Sequence, residues 1–495
     1  MDSKSSDFPA SAPGVPALLT ELLNCVRGDI NSIFSSDADA WGGFAPGRID
    51  VMGGIADYTG SLVCQLPLDV GIAALVQKRR DRRLRITSYN PPAGASGSPG
   101  VPQTVELNLD EFYGSGSMFP EQTIRGFFST ENHWAAYIAG AYWVLGKNRH
   151  LTSRAPGANI ACFGDLPMNV GLGSSAALEI AVLSAMSGAY RLSMDTLDAA
   201  ILGQKIENHI VGAPSGIMDQ VVSTMGRANQ LLLLRCQPHD IVGYLEVPSG
   251  ISILGLTSNV RHDITGQAYG DARAAAFMAQ KILSTTAEKL GRRKDPTQGY
   301  LARINSNDYR IYLRQMLPES ISGAQFISLY GHTEDRATTI DPKKKYRVRA
   351  AADHHILDNA RVEEFVNCLR TAFTGTRNHV SLIRAGRLMF ASHASYSYCA
   401  GLGTPQTDWI VQNISKLGPK NGFYGARITG GGQGGTVAVL SDKSPRNLEM
   451  LNDLAIQYTA KFGLTLGVLI ESGSGAVAVG IHQFKPEHLG VNSKQ

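Results

Sequence analysis

Apolar residues at Leu18, Leu19, Leu22, Leu23 and Val26 recur at helical spacing, so PALLTELLNCVRGDINSIF predicts a helix with one buried face. The period then changes. SLVCQLPLDVGIAALVQKRRDRRLRITSYN reads as two strand-like stretches, and PPAGASGSPGVPQ, rich in Pro, Gly and Ser, reads as a loop insertion. From Trp134, WAAYIAGAYWVLG predicts a helix and GANIACFGDLP a strand; a Gly-Ser loop then opens a long alanine-rich helix, and a second helix is predicted over 196–212. After about residue 245 the pattern restarts with the strand-like YLEVPSGISILGLTSNV and runs through helices to a glycine-rich hairpin near residue 430. No internal repeat is visible. Residues 290–360 carry the least readable pattern, and DPKKKYRVR within them reads as a solvated turn.

A length of 495 residues exceeds one ordinary core, and roughly 150 residues per domain suggests about three domains or two large lobes. The restart of the pattern places the division near 240. The expected layout is a polar tail over 1–15, a first lobe over 16–240, a second over 241–485 and a short tail over 486–495. Hydrophobic content of 43% with 18% charged residues marks a globular chain, and a formal net charge of +4 gives no case for nucleic acid or a membrane surface as partner. Arg79, Arg80, Arg82 and Arg83 read as a solvated edge or turn. The six cysteines are scattered without a CxxC pair and read as reduced and mostly buried. The polar N-terminus lacks a signal pattern, and no apolar run approaches the roughly 18 residues of a membrane span. A cytoplasmic protein, monomeric or weakly dimeric, is expected.

Three glycine-rich stretches carry the chemistry. APGRIDVMGGIADYTGS, residues 45–61, alternates too weakly for an ordinary buried strand, and its glycines let backbone approach another group closely, so a ligand-binding loop is expected. In DLPMNVGLGSSAALEIAVLSAM, Gly171, Gly173, Ser174 and Ser175 stand at the entrance to a helix. Free backbone N–H groups and the positive end of the helix dipole suit a phosphate there. No lysine follows the glycines, which excludes a Walker-type loop, and a serine hydroxyl is available for the magnesium ion that nucleotide phosphates bring. GARITGGGQGGTVAVL formally contains GxGxxG at Gly430, Gly432 and Gly435, but TVAVL after it reads as a strand. A tight strand-loop-strand turn fits better than a dinucleotide fold.

Two acids complete the set. Glu207 shares a helix face with Ala200, Gly203 and Val211, where an unpaired carboxylate rarely belongs, and Asp219 follows the turn GAPSGIM. Either could be a helix-end pair or a cap. Phosphoryl transfer asks for a phosphate cradle, a metal, a base near the acceptor hydroxyl and a cation: Ser174, Ser175 and Glu207 suit the cradle and metal, Asp219 the base, Arg48 the cation. His332, His354, His355 and His393 show no metal-ligand spacing and read as structural or surface residues.

Together these residues resemble the GHMP small-molecule kinases, in their galactokinase and arabinokinase branch. APGRIDVMGGIADYTG, LPMNVGLGSSAALEIA and RITGGGQGGTVAV occur in the family's order, with support from HWAAYIAG, QKIENHIVGAPSGIMDQ and TSNVRHDITGQAY. The resemblance implies an α+β fold of two lobes, the N-terminal of the ribosomal S5 domain 2-like type and the C-terminal ferredoxin-like, with the active site in the cleft between them. It makes Asp219 the catalytic base and Arg48 its partner cation. It makes Ser175 and Glu207 holders of Mg²⁺, and Gly171, Leu172, Gly173, Ser174, Ser175 and Ala176 the wrap around the phosphates of ATP. Trp134 and Tyr137 match the adenine pocket; Asp57, Gly216 and Tyr269 match sugar-contacting positions.

Gly54 and Ile55 depart from the galactokinase pattern, which has a glutamate and a histidine contacting the sugar's hydroxymethyl group at C6. L-Arabinopyranose has the galactose arrangement of ring hydroxyls but no C6, so an apolar surface there leaves nothing polar unpaired. GGIADYTGS, GHTEDRATTIDPKKKYRVRA and SHASYSYCAGLGTPQTDWIV also resemble arabinokinases. The resemblance therefore implies an ATP-dependent sugar 1-kinase that converts L-arabinose to L-arabinose 1-phosphate. A galactokinase acting on D-galactose, and a non-catalytic regulator that binds sugar and ATP on the same fold, remain as alternatives.

Overall fold

The computed structural model describes residues 14–90, 101–114, 117–128, 131–260, 267–290, 295–373 and 378–489. Most of the expected N-terminal tail, the Gly/Ser-rich part of the 91–103 insertion and residues 261–266 of TSNVRHDITGQAY lie outside them. The fold is α+β, built on two main sheets. Across the first, the strands run His482–Phe484, Ala40–Met52, Leu62–Lys78, Ala158–Gly164, Arg83–Ser88 and Gln103–Asn108, and Gln230–Arg235 pairs with the start of Leu62–Lys78 and with Asp240–Glu246. The second is antiparallel, in the order Phe423–Ile428, Thr436–Asp442, Ile251–Thr257, Gly467–Leu469.

The helix Ala17–Gly28 buries the five apolar side chains its spacing selects, against Phe44, Ala73, Leu75 and Phe484. The alanine-rich helix Ser174–Tyr190 covers the first sheet: small side chains let it lie close, and Gly43 leaves room for its backbone at Ala181. On the second sheet, Pro405–Leu417 and Pro445–Phe462 bury Ile410, Val411, Ile414, Leu451, Leu454 and Tyr458 against Leu254, Leu256, Val437 and Val439. The division expected at 240 falls at the first residue of Asp240–Glu246, which belongs to the first sheet. His482–Phe484 returns to that sheet's edge, and Leu489 of the short helix Pro486–Leu489 packs into the first helix's core.

Residues 45–52, expected as loop, are instead the second half of the strand Ala40–Met52, and only Gly54–Thr59 forms a short 3₁₀ turn. The pattern misleads because the strand is buried nearly throughout: helix Ser174–Tyr190 closes on it at Gly43, and Ile49 reaches Gly255 of the second sheet. Arg48 and Asp50 interrupt the apolar run because each finds an opposite charge far away in sequence. Register shifts at Pro46/Arg48 and Asp50/Met52 re-aim these side chains; Pro46 lacks the N–H that a regular ladder uses. The helix expected over 196–212 is regular over Thr196–Lys205 and widens into a π turn over Ile206–Val211. Residues 295–347 contain short helical pieces and one small strand pair, too brief to leave a periodic signal.

The other local readings are as follows. Arg79 pairs with Asp81, Arg80 with Asp37, Arg82 with Asp110 and Arg83 with Glu106, on or near the turn between two strands. The cysteines are free, and Cys64, Cys162, Cys236 and Cys368 are buried. His354 contacts Ser395, His355 contacts Thr59 and Tyr58, and His393 pairs with Asp408. No described helix is long and apolar enough to cross a membrane.

Arg427 and Asp50 form a fully buried ion pair at 2.9 Å between the two sheets, and Gln65 donates to the other Asp50 oxygen at 2.7 Å. Asp50→Asn leaves the guanidinium buried without its counter-charge and is expected to cost about 3 kcal/mol in urea unfolding. A loss under about 1 kcal/mol would show that the pair is not a keystone between the sheets.

Candidate active site

A cavity of about 610 Å³ opens between the sheets, lined by the Gly171–Ser175 loop, Arg48, Asp219, Glu207, Asp57, Tyr269, Trp134 and Gly430 among others. The local sequences of all three glycine-rich stretches meet here. Arg48, only 3% exposed, reaches Asp219 with two parallel bonds, Nε to Oδ1 at 2.8 Å and Nη2 to Oδ2 at 2.6 Å, and its Nη1 donates to the Gly171 carbonyl at 2.6 Å. The bidentate fork fixes the carboxylate plane. Asp219 stands in the first turn of Met218–Met225, and its side chain keeps 23% exposure toward the cavity.

Gly173 caps helix Ser174–Tyr190 in a left-handed conformation, so the first amides of that helix face the cavity entrance. The hairpin loop after Phe423–Ile428 presses on the same place: Thr436 Oγ1 donates to the Val170 carbonyl at 2.8 Å, and Gly430 packs against Gly171 with no room for a β-carbon. This is the close backbone approach expected of the second glycine cluster. Ala176 does not line the cavity; it is buried in the first turn of the helix.

Glu207, 2% exposed, comes from the π turn, where the extra residue re-aims a helical side chain. Its Oε2 accepts from Gln220 Nε2 at 2.9 Å, and the same amide donates to Glu179 at 3.1 Å. Burial raises the Glu207 pKa, while the Ser175 and Ser215 hydroxyls pull it back. Its Oε1 is buried with no hydrogen-bond partner. An orphaned carboxylate oxygen beside a serine hydroxyl at a helix N-terminus fits a hard divalent cation that takes its other bonds from water or an anionic ligand. Among the described residues no cluster of three His, Cys, Asp or Glu side chains could hold a metal by itself.

At the other end, Asp57 is 4% exposed and accepts the Tyr58 N–H. Burial, then the Asp219 charge, pushes its pKa up to about 7 against the opposing pull of Arg273. Gly216 lies on the Asp57 carboxylate, where any β-carbon would overlap it. Tyr269 stacks edge-on to Tyr58 with 6.3 Å between ring centres. Ile55, 2% exposed, lines the cavity, whereas Gly54 stands behind it. A β-carbon at Gly54 would lie 2.7 Å from the Tyr396 ring and 2.8 Å from Arg427. Trp134 and Tyr137 line the third part of the cavity, and the Trp134 Nε1 is buried without a partner. Ser88, Asn90, Met168 and Asn169 line it as well, and the sequence analysis missed them. Only Asn169 left a signal, as a polar residue just before the glycines that takes a positive φ of 58°.

Residues 136–227 match the family model of the GHMP kinases N terminal domain, and residues 380–459 match that of GHMP kinases C terminal. An L-arabinokinase of Arabidopsis thaliana is 33% identical over 90% of this chain, which spans 47% of that relative's length. A galactokinase of Actinobacillus succinogenes is 27% identical over 89% of this chain and 94% of its own. Among solved structures, Lactococcus lactis galactokinase complexed with galactose shares the fold with a TM-score of 0.67 at 22% identity, over 94% of this chain and 98% of that one. A mevalonate kinase does so at 0.51 and 15%, over 87% and 99%. Both domain models match, in order, on a chain with this fold: the chain carries the N-terminal and C-terminal domains of the GHMP kinases.

Proposed function

We propose that this protein is an ATP-dependent sugar 1-kinase that phosphorylates the anomeric hydroxyl of L-arabinose, giving L-arabinose 1-phosphate and ADP. The observation that carries the reading is the Arg48–Asp219 fork between a helix N-terminus and a buried Asp57. Asp219 would take the proton of the anomeric hydroxyl as its oxygen bonds to the γ-phosphorus and the bond to the ADP oxygen breaks. Arg48 holds the base in place and offsets the negative charge gathered there. Backbone amides at Gly173–Ser175 would bind phosphate oxygens, with Gly171, Leu172 and Ala176 shaping the loop, while Trp134 and Tyr137 would cover the adenine. Ser175 and Glu207 would hold Mg²⁺, which when bound supplies charge neutralisation on the phosphates.

For L-arabinose rather than D-galactose, the support is the apolar Ile55 on the cavity wall, together with the Tyr396 ring and Arg427 filling the space beside Gly54. No side chain at position 54 could reach a C6 hydroxyl without displacing them. The L-arabinokinase relative supports the same choice. Asp57, Gly216 and Tyr269 would form the sugar end.

ADP release from Mg-ATP, measured with L-arabinose, D-galactose, D-fucose or no sugar, is expected to be fastest with L-arabinose and to fall at least about 10³-fold in Asp219→Asn. A preference for D-galactose would overturn the arabinose reading and leave the kinase. Nucleotide and sugar binding without ADP release would support a non-catalytic regulator. The kcat/KM for the sugar should also rise with pH through about 7 as Asp57 ionises, since the acidic limb reports the free enzyme. A profile flat from pH 5.5 to 8.5, about thirtyfold in proton concentration either side of that midpoint, would remove Asp57 from the binding step.

A further inference from the structure

Arg273, on the helix Gln267–Lys289, is 7% exposed and does not line the cavity. Its Nε and Nη2 donate to the two Asp335 oxygens at 3.0 and 2.9 Å, and its Nη1 donates to the Pro214 carbonyl at 2.8 Å. The guanidinium lies 4.8 Å from the centre of the Tyr58 ring and 5.4 Å from that of Phe277. Asp335 comes from the stretch that leaves no periodic signal in the sequence, yet its side chain is only 3% exposed. Its carboxylate is fixed from its own segment as well, by the Ala337 N–H at 3.1 Å and the Thr338 hydroxyl at 2.6 Å.

One guanidinium therefore joins three segments. Pro214 begins the turn whose Gly216 lies against the Asp57 carboxylate, and Tyr58 follows Asp57 in the chain. Moving the guanidinium would free the turn and the ring together, and Asp57 stands between them. We propose that the Arg273–Asp335 pair is a positioning device for the sugar end of the cavity, holding the Pro214–Gly216 turn and the Asp57–Tyr58 turn at the spacing a sugar hydroxyl requires. This rests on the reading of the cavity as a sugar kinase site.

The electrostatics run the same way. Asp57 faces the acids Asp219 and Asp50, the neutral side chains of Tyr58, Tyr269 and Cys236, and the cation Arg273. Burial and the two acids favour the protonated form of Asp57, and Arg273 opposes them. A pair that only strengthened the core would support stability without acting selectively on sugar affinity or on the Asp57 ionisation.

The test uses the full chain and the variants Arg273→Gln, Arg273→Lys and Asp335→Asn. KM values for ATP and for L-arabinose and D-galactose are measured, with calorimetric Kd values for both sugars and melting temperatures. Arg273→Gln is expected to raise the KM and Kd of the accepted sugar at least about tenfold, with the KM for ATP within about twofold. It should also move the acidic limb of kcat/KM for the sugar to higher pH. Arg273→Lys, which keeps the charge but not the fork, should restore the limb more than the affinity. Asp335→Asn keeps the side chain's shape if Arg273→Gln does not fold, and should weaken sugar binding in the same selective way. Sugar and ATP constants that weaken together, or a lower melting temperature with unchanged sugar Kd, would overturn the positioning role. Wild-type protein that binds neither sugar would overturn the kinase reading and this inference with it, a result visible before any variant is made.

Discussion

Arg48 and Asp50 sit two residues apart on a strand with almost no access to water, and each needs a partner from a different part of the chain. Arg48 finds Asp219 at the start of a helix, and Asp50 finds Arg427 on the second sheet. A buried charge without a partner is strongly unfavourable, so the fold has to bring these segments together. The same demand aligns the cleft: the strand that joins the two sheets is also the one that carries the fork to Asp219. Thr429, beside Arg427, accepts the Asp50 N–H at 2.7 Å and ties the hairpin loop to that strand.

The end of the cavity at Gly171–Ser175 follows from backbone chemistry more than from side chains. Helix Ser174–Tyr190 begins beside the cavity at Gly173, its first amides lie outside the helical ladder, and the second glycine loop brings another stretch of backbone against it. Behind them Gln220 bridges Glu179 and Glu207 with one amide, which leaves a single Glu207 oxygen unpartnered. Glu179 keeps one unpartnered oxygen as well, and the π turn that delivers Glu207 is a departure from regular helix at the same place.

The end of the cavity at Asp57 is tighter. Asp57 is enclosed by Gly216, Tyr58 and Tyr269, and its pKa is raised by burial and by the Asp219 charge against the opposing pull of Arg273. The space behind the loop is filled as well. At Gly54 the backbone has a positive φ, and the Tyr396 ring and Arg427 stand where a side chain would begin, so only glycine fits. The Tyr396 hydroxyl in turn donates to the Gly430 carbonyl, which ties the residues behind Gly54 to the second glycine loop.

The sequence by itself determined the helix with a regular apolar stripe, Ala17–Gly28, and the alanine-rich helix Ser174–Tyr190, and it singled out the Gly171–Ser175 loop, Arg48, Glu207 and Asp219, which the fold brings to one cavity. These are legible because their signal is local, a period or a capped glycine loop. What only the tertiary structure decided is where both sides of an element are covered or where a partner lies far away. Residues 45–52 became a strand because a helix and a second sheet bury them on both sides, which erases alternation. Asp335 gained a buried partner because Arg273, 62 positions earlier, is brought to it by packing. The course of the chain near 240 and after 481, returning to the first sheet, was likewise hidden, because strand pairing is a long-range hydrogen-bond choice that leaves no local trace.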